Sequence, residues 1–507
     1  MRNGAAARAS SREPNDRGAP HVTDPEDDLP SPPHSRLRRL RKLALWRGGA
    51  VAMVALVLFV GRWQVGRVGQ RELDRVMQRL DAEEPGWRLD AVLAERARHM
   101  PPPADGDLNA RVLALAGEVP EPWNEWQEEL TRTRWQQGRA HNHRPDKDGL
   151  AHAAKMAEPT RTLRDRAVDL RRAQRPGTYP LTVGPDPVAT LLPHLAQARR
   201  VITVLEYDAR WEALHGNPNR GITAARAALA VARSFGDEPV LLSQMTRISC
   251  ARAAADSTMQ TLAWGEPTDE LAELQAELLT EADVPWFRYG MRGERAMLDH
   301  FFTGVQNETI PLESLFNYAG FGAPKPAHYA AFRAYKALLP GDRAKCLEIC
   351  SQCVAVSNLP PHEQLSALKK IQIPSGPPID IRYTVMRRMI PAFERIAERS
   401  LQTRADLLAA SVCLACERHR IKTGRFPRAL AELVPAFLPA VPVGPFDGQP
   451  PVYRTHPDRV AVTYFWPNSP PSSPSKELDE SGTGQGAGYQ LWNPDQRRAP
   501  AEEMNDP

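Results

Sequence analysis

Three cysteines, Cys346, Cys350 and Cys353, spell C-x3-C-x2-C inside DRAKCLEICSQCVAVSN. That spacing can present three thiolates to one iron–sulfur cluster, provided the segment is a loop. Here it reads as a helix, and positions i, i+4 and i+7 put all three thiols on one helical face. Cysteine packs as a small apolar residue, so the reading is a core stripe with no cluster. Cys413 and Cys416 form C-x-x-C within LLAASVCLACERHR. A redox pair of that spacing needs a helix N-terminus to lower a thiol pKa, and these two fall in mid-helix. They too are expected in a core.

His141 and His143 make an H-x-H pair in GRAHNHRPDKDG, with Asp146 close by. Imidazoles and a carboxylate are metal-ligand chemistry, but a polar surface loop is the simpler expectation. No H-E-x-x-H, G-x-S-x-G, phosphate-binding glycine loop or kinase signature occurs. Asn307-Glu308-Thr309 fits the glycosylation sequon. The acid pairs Glu128/Glu129 and Glu206/Asp208 are read as solvated on helix faces. No residue is therefore assigned a catalytic, cofactor-binding or metal-binding role, and no cofactor is expected.

The elements that would have to position any site come from patterning. The chain has 507 residues, 42% hydrophobic, with a net charge of +4. That suffices for real cores, and six cysteines are too few for a disulfide scaffold. Arginine outnumbers lysine, but no basic stripe interleaves with aromatics, so no nucleic-acid partner is expected.

The run Gly48 to Gly61, GGAVAMVALVLFVG, carries no charge, and Leu43 to Trp46 extend it across Arg47. A helix needs about 20 such residues to cross a bilayer core. Trp46 and Trp63 bracket the run as interfacial anchors would, and Arg47 is close enough to one end to snorkel. Arg36, Arg38, Arg39, Arg41 and Lys42 precede it, which by the positive-inside bias keeps the N-terminus cytoplasmic. Arg62, Arg67 and Arg71 follow it.

The reading is mainly α: residues 1–42 a disordered basic cytoplasmic tail, 43–61 a transmembrane helix, 62–397 an extracytoplasmic helical region, 398–466 a long helix with a small β-sheet, and 467–507 a disordered tail. Val65, Val68, Leu73, Val76 and Leu80 continue the membrane helix as a stalk over 64–100. Leu191 to Leu214, Ile222 to Ala232 and Val240 to Leu262 form a helical hairpin and a third helix, with HGNPNRG as the turn. Residues 268–300 and 326–370 look helical around a loop at 302–325. Ile379 to Thr423 is a long helical region kinked or divided at Pro391. VYR at 452–454 and VAVTYF at 460–465 read as strands, with Val452, Val460, Val462 and Tyr464 facing one core.

ALHGN at 213–217 followed by Ile222, Ala225, Ala228 and Leu229 resembles one tetratricopeptide-type helix pair, which implies helical stacking and no particular ligand. The stretch ERHRIKTGRFPRALAELVPAFLPAVPVGPFDGQP at 417–450, with LPPHEQLSALKK at 359–370 and SFGDEPVLLSQMTRISC at 234–250, resembles a group of uncharacterised single-span membrane proteins of planctomycete-type bacteria. The likeness covers most of the chain after residue 62 and implies architecture only. The same C-terminal module is similar to the globular end of type II secretion pseudopilins, where a long helix leads through G-R-[FY]-P into a small sheet. Here Gly444 stands where their loop often has Asp, and a Pro/Ser tract from Pro467 replaces their acidic loop. The functional expectation is a membrane-anchored, non-catalytic binding or scaffolding protein, its partners the bilayer and a protein of unknown identity. The alternatives are a component of a secretion or pilus-like assembly, or an enzyme whose site one sequence does not reveal.

Overall fold

The computed structural model describes residues 33–99, 107–133, 135, 142–173, 178–311, 314, 335–372, 383–467 and 486–498. The chain clusters into two units, residues 1–62 and 63–507. Helix α1 runs from Pro33 to Glu83. Its apolar stretch is long enough to cross a membrane, and the large apolar side chains from Leu45 to Val60 are exposed: Trp46 is 82% exposed and Phe59 67%.

Past Trp63 the helix belongs to the second unit and its environment inverts. Val65 and Val68 are still exposed, but Leu73, Val76 and Leu80 are buried with Trp87 against Ala344 and Leu347. The expected stalk over 64–100 is therefore two packed helices. Gly86, in the left-handed region at φ +92°, turns the chain into α2 (Leu89–His99). A Cβ on Gly69 would lie 2.9 Å from the Gly341 amide nitrogen, so only glycine admits this close approach of α1 to the segment around residue 341.

Helices α3 (Leu108–Glu118), α4 (Trp123–Thr131), α5 (Lys147–Ala157) and α6 (Arg161–Ala167) lead to the centre of the domain. There α7 (Pro193–Leu214), α8 (Pro218–Arg233) and α9 (Leu241–Trp264) pack against one another. The hairpin and third helix read from the sequence are present. Pro218 opens α8, where a proline costs no hydrogen bond. Alanines 224, 225, 227, 228, 230 and 232 are all buried, and such small side chains let α8 sit tightly between its neighbours.

Helices α10 (Leu271–Ala282) and α11 (Trp286–Gln306) follow. The loop expected from residue 302 begins later, because Phe301, Phe302 and Val305 keep a buried face to the end of α11. Most of 312–334 lies outside the described residues. α12 (Leu339–Val356) and α13 (Pro361–Leu368) precede the 40-residue α14 (Thr384–Thr423). Pro391 does not divide α14. Its first half, with Ile390, Phe393 and Ala397, packs in one apolar core with α11 and α12, and its second half, from Ala405 to Cys416, packs in the main core. The boundary read at 397/398 thus falls inside one helix. Gly424, at φ +79°, ends it.

The sheet is antiparallel in the order β1 (Val452–Thr455), β2 (Arg459–Phe465), β3 (Gly486–Trp492). β3 lies within the segment read as a tail. Its register with β2 pairs Val462 with Tyr489 and Val460 with Leu491, so Val460, Val462, Tyr464, Ala487, Tyr489 and Leu491 are buried together against α14 and α9. Val452, expected in that core, is 53% exposed. The strand was hidden because GAGYQLW follows a long Ser/Pro/Gly tract and carries three residues of low β propensity. Beyond it, Arg497 is buried and grips the buried Glu417 of α14 with two hydrogen bonds of 2.9 and 2.8 Å. Arg498 donates to the backbone oxygens of Trp264 and Ala213.

Leu491→Ala should therefore cost about 2–5 kcal/mol, the range for a fully buried leucine. Truncation after Pro467 should lower the melting temperature further, and an unmoved transition would mean that the core is complete without β3.

Burial alone would raise the Glu417 carboxyl, but hydrogen bonds from Arg420 and Arg497 outweigh it and hold the group below the usual glutamate range. A depressed folded value supplies stability above the unfolded value, about 4.3, that is lost as pH falls through the folded one. Glu417→Gln should thus lower stability at pH 7 and flatten the acid limb below about pH 4.3. Denaturation curves at a series of pH values test this, and parallel profiles for the two proteins would contradict it.

Candidate functional site

A dense polar construction grows from SFGDEPVLLSQMTR, the connection between α8 and α9. Ser234 caps the end of α8, and its hydroxyl is 2.7 Å from that of buried Tyr179. Gly236 turns the chain at φ +54°, and its carbonyl accepts from Gln244 Nε2 and Arg247 Nη1. Arg247 in turn forks onto Glu281 at 2.7 and 2.8 Å, and Trp286 Nε1 donates to the same carboxylate.

Glu238 sits at the centre and is wholly buried. Its Oε1 lies 3.0 Å from His194 Nε2 and accepts from the Ser243 hydroxyl, and its Oε2 accepts from Arg96 at 3.4 Å. His194 stacks on Tyr179 with ring centroids 4.6 Å apart. Helix α11 closes over this loop through two glycines. A Cβ on Gly293 would fall 1.7 Å from the Pro239 carbonyl oxygen, and one on Gly290 2.6 Å from Leu241.

A serine, a histidine and a glutamate thus meet, but in the wrong order for nucleophilic catalysis. A hydrolytic triad needs the imidazole between the hydroxyl and the acid, so that it can take the hydroxyl proton. Here the carboxylate stands between the other two, and all three side chains are shut away from solvent. The arrangement can hold backbone in place and cannot pass a proton from Ser243 to His194.

Beside this knot lies a cavity of about 250 Å³ between the 187–192 segment, Val240 and Leu242, and the Met297, Leu298 and Phe301 face of α11. Its walls are mostly apolar. Thr190 and Glu294 are the polar lining groups, and Glu294 is engaged in other interactions.

The residues singled out in the sequence do not converge on this region. Cys346, Cys350 and Cys353 are buried on one face of α12 in the core shared with α11 and α14. The hydrogen bond that the Cys350 thiol donates to Cys346, with burial, pushes Cys350 up, and burial pushes up Cys353. Cys413 and Cys416 are buried in mid-α14 and are raised by burial as well, while Cys250 is pushed up to about 12. Such thiols are poor nucleophiles at neutral pH. Asp146 caps α5 by accepting from the Gly149 amide at 2.7 Å, and the His143 carbonyl accepts from Trp264. His141 lies outside the described residues. Asn307 closes α11, followed by Glu308 at φ +61°.

One acid pair departs from its expectation. Glu128 is exposed and Glu129 half-buried, but Glu206 is half-buried and Asp208 wholly buried. α7 is packed by α3, α6, α8 and α9, so little of it reaches water. Burial raises both carboxyls, opposed at Asp208 by Arg220 and Arg164 and at Glu206 by Arg210. Arg164 also reaches Glu212 at 3.0 Å, and Arg220 Nε lies 3.3 Å from Asp208. Sequence reading missed Arg96, His194, Glu238 and Ser243 altogether. The available signal was an acid pair, Asp237-Glu238, wedged between two apolar runs. Nothing local links it to residues 44 positions away.

Neither a family model, a curated protein nor a solved structure matches the chain.

Removing one partner of a buried charge pair strands the other, at about 3–5 kcal/mol. Glu238→Gln leaves Arg96 only the half-exposed Asp237 carboxylate at 3.7 Å and should cost about 3 kcal/mol, the low end of that range. Ser243→Ala leaves the carboxylate with Arg96 and His194 and should cost about 1 kcal/mol. Equal, small losses on chemical denaturation would remove Glu238 from its central place.

Proposed function

We propose that this is a single-span membrane protein with a cytoplasmic N-terminus, whose helical domain lies outside the cytoplasm as a non-catalytic binding or scaffolding module. The observation that carries the reading is the exposure of the whole apolar run of α1. A soluble monomer rarely leaves more than a few hundred Å² of contiguous apolar surface in water. Here every large apolar side chain from Leu45 to Val60 is uncovered, and burial starts only at Leu73 of the same helix. A bilayer supplies the missing apolar surroundings, and the helix satisfies its own backbone there. The basic cluster at 36–42 supports the orientation. The knot at Glu238 has a geometry that suits rigidity and not proton transfer, and the thiols are buried, so neither is a starting point for the enzyme alternative.

A second reading, a component of a secretion or pilus-like assembly, is favoured by one feature: a long helix, α14, ending at Gly424 with a small antiparallel sheet against it. Against it, α14 is not the membrane helix. Co-purification from lipid nanodiscs separates the two, since filament or secretion proteins would be recovered only under the second.

Reporter fusions at residues 30 and 300 test the topology. A cytoplasm-active reporter should work at 30 and fail at 300, with the converse for an export-dependent one. Reversed activity would invert the orientation, and intact protein in the soluble fraction would remove the anchor.

A further inference from the structure

We propose that Trp63, Arg67 and Arg71 of α1 form a row that binds the phosphate of an acidic phospholipid. The inference rests on the single-span reading and not on its orientation. A spacing of four places the three side chains in line along the helix. The Arg67 guanidinium lies 4.7 Å from the Trp63 ring centroid, so a cation is already seated on the aromatic face. At about 100° per residue, Arg67 and Arg71 lie about 180° round the helix from Gly69, Leu73 and Val76, the face packed on α12. That packing fixes which way the row faces. The row also carries charge that the domain leaves unneutralised. Arg67 and Arg71 are exposed, and neither meets a carboxylate among the described residues. The acids nearest in sequence are engaged, Glu72 with Arg75 at 2.8 Å and Asp74 with Gln70 at 2.8 Å.

Position selects the partner. Trp63 closes the apolar run, where an indole sits at the edge of the hydrocarbon. At about 1.5 Å per residue, Arg67 is about 6 Å and Arg71 about 12 Å farther along α1. The headgroup layer is about 5–7 Å deep on each side of a bilayer. Helical side chains tilt toward the N-terminus of their helix, which for these residues is back toward the bilayer. A long arginine side chain therefore reaches the phosphates from Arg71 as well as from Arg67. Guanidinium groups bind phosphate through paired hydrogen bonds. Two cations without an acid partner favour a lipid of net negative charge over a zwitterionic one.

The test uses the full-length protein reconstituted in phosphatidylcholine vesicles, with spin-labelled phosphatidylglycerol or phosphatidylcholine as the probe. Electron paramagnetic resonance reads the fraction of each probe immobilised on the protein. Phosphatidylglycerol should be preferred, and the ratio of the two association constants should fall about five-fold or more when Arg67→Gln and Arg71→Gln are combined. Five-fold is the worth of about one basic residue at an anionic surface. High salt should weaken the preference of the unaltered protein. Arg79→Gln removes a charge from the same helix about 24 Å past Trp63, beyond the headgroups, and should leave the ratio unchanged. The basic cluster at 36–42 is untouched in every variant, so a preference that survives the double substitution belongs there and overturns the row. A fall just as large in Arg79→Gln would make it a net-charge effect and overturn the row as well. Protein that does not enter the vesicles at all removes the anchor itself, a failure separate from lost lipid preference in protein that does.

Discussion

Glu238 is wholly buried, and a carboxyl in that position is tolerable only with its oxygens occupied. His194 and Ser243 share one oxygen and Arg96 takes the other, so α2, the start of α7 and the start of α9 must arrive together. Once they do, Val240 and the first turn of α9 have little freedom, and α11 can approach only where it presents Gly290 and Gly293.

Buried ion pairs add little net stability, since desolvation takes back most of what attraction supplies. Their effect here is on register. α8 is packed through alanines, and an interface of uniform small side chains fixes the sliding position of a helix weakly. Polar contacts at its two ends do so strongly. Near its start, Arg220 meets Asp208 of α7, itself paired with Arg164 of α6. Near its end, Ser234 meets Tyr179, and Arg247 joins the Gly236 carbonyl to Glu281 of α10. A shift of one turn would strand several buried charges at once, which costs far more than any loss of alanine packing.

What was legible in the sequence is what local chemistry decides. The apolar run of α1, the α7 to α9 helices and the stop of α14 at Gly424 each carry their signal within a few residues. The one-face spacing of Cys346, Cys350 and Cys353 also sufficed to bury them. What was not legible depends on partners far along the chain. Asp208 reads as a solvated acid until Arg164 and Arg220 are known to face it. β3 reads as tail because its case rests on pairing with β2 across a long polar tract. The knot at Glu238 joins residues 96, 194, 238 and 243, and no spacing rule links them.

α14 carries the consequence furthest. Its first half lies in one apolar core with α11 and α12, and its second half in the core built on α7 to α9 and the sheet. The α1 segment beyond Trp63 packs beside α12, with Leu73, Val76 and Leu80 against Ala344 and Leu347. Arg295 of α11 reaches Glu84, just past the end of α1, and lies over the Trp87 ring. Among the described residues, α1 beyond Leu73, α11, α12 and the first half of α14 are thus joined through buried side chains, and α14 continues as one helix into the main core. α14 therefore couples the two cores directly through one helix. Displacement at the sheet would have to be met by repacking at α11 and α12, because dense cores transmit strain and do not absorb it.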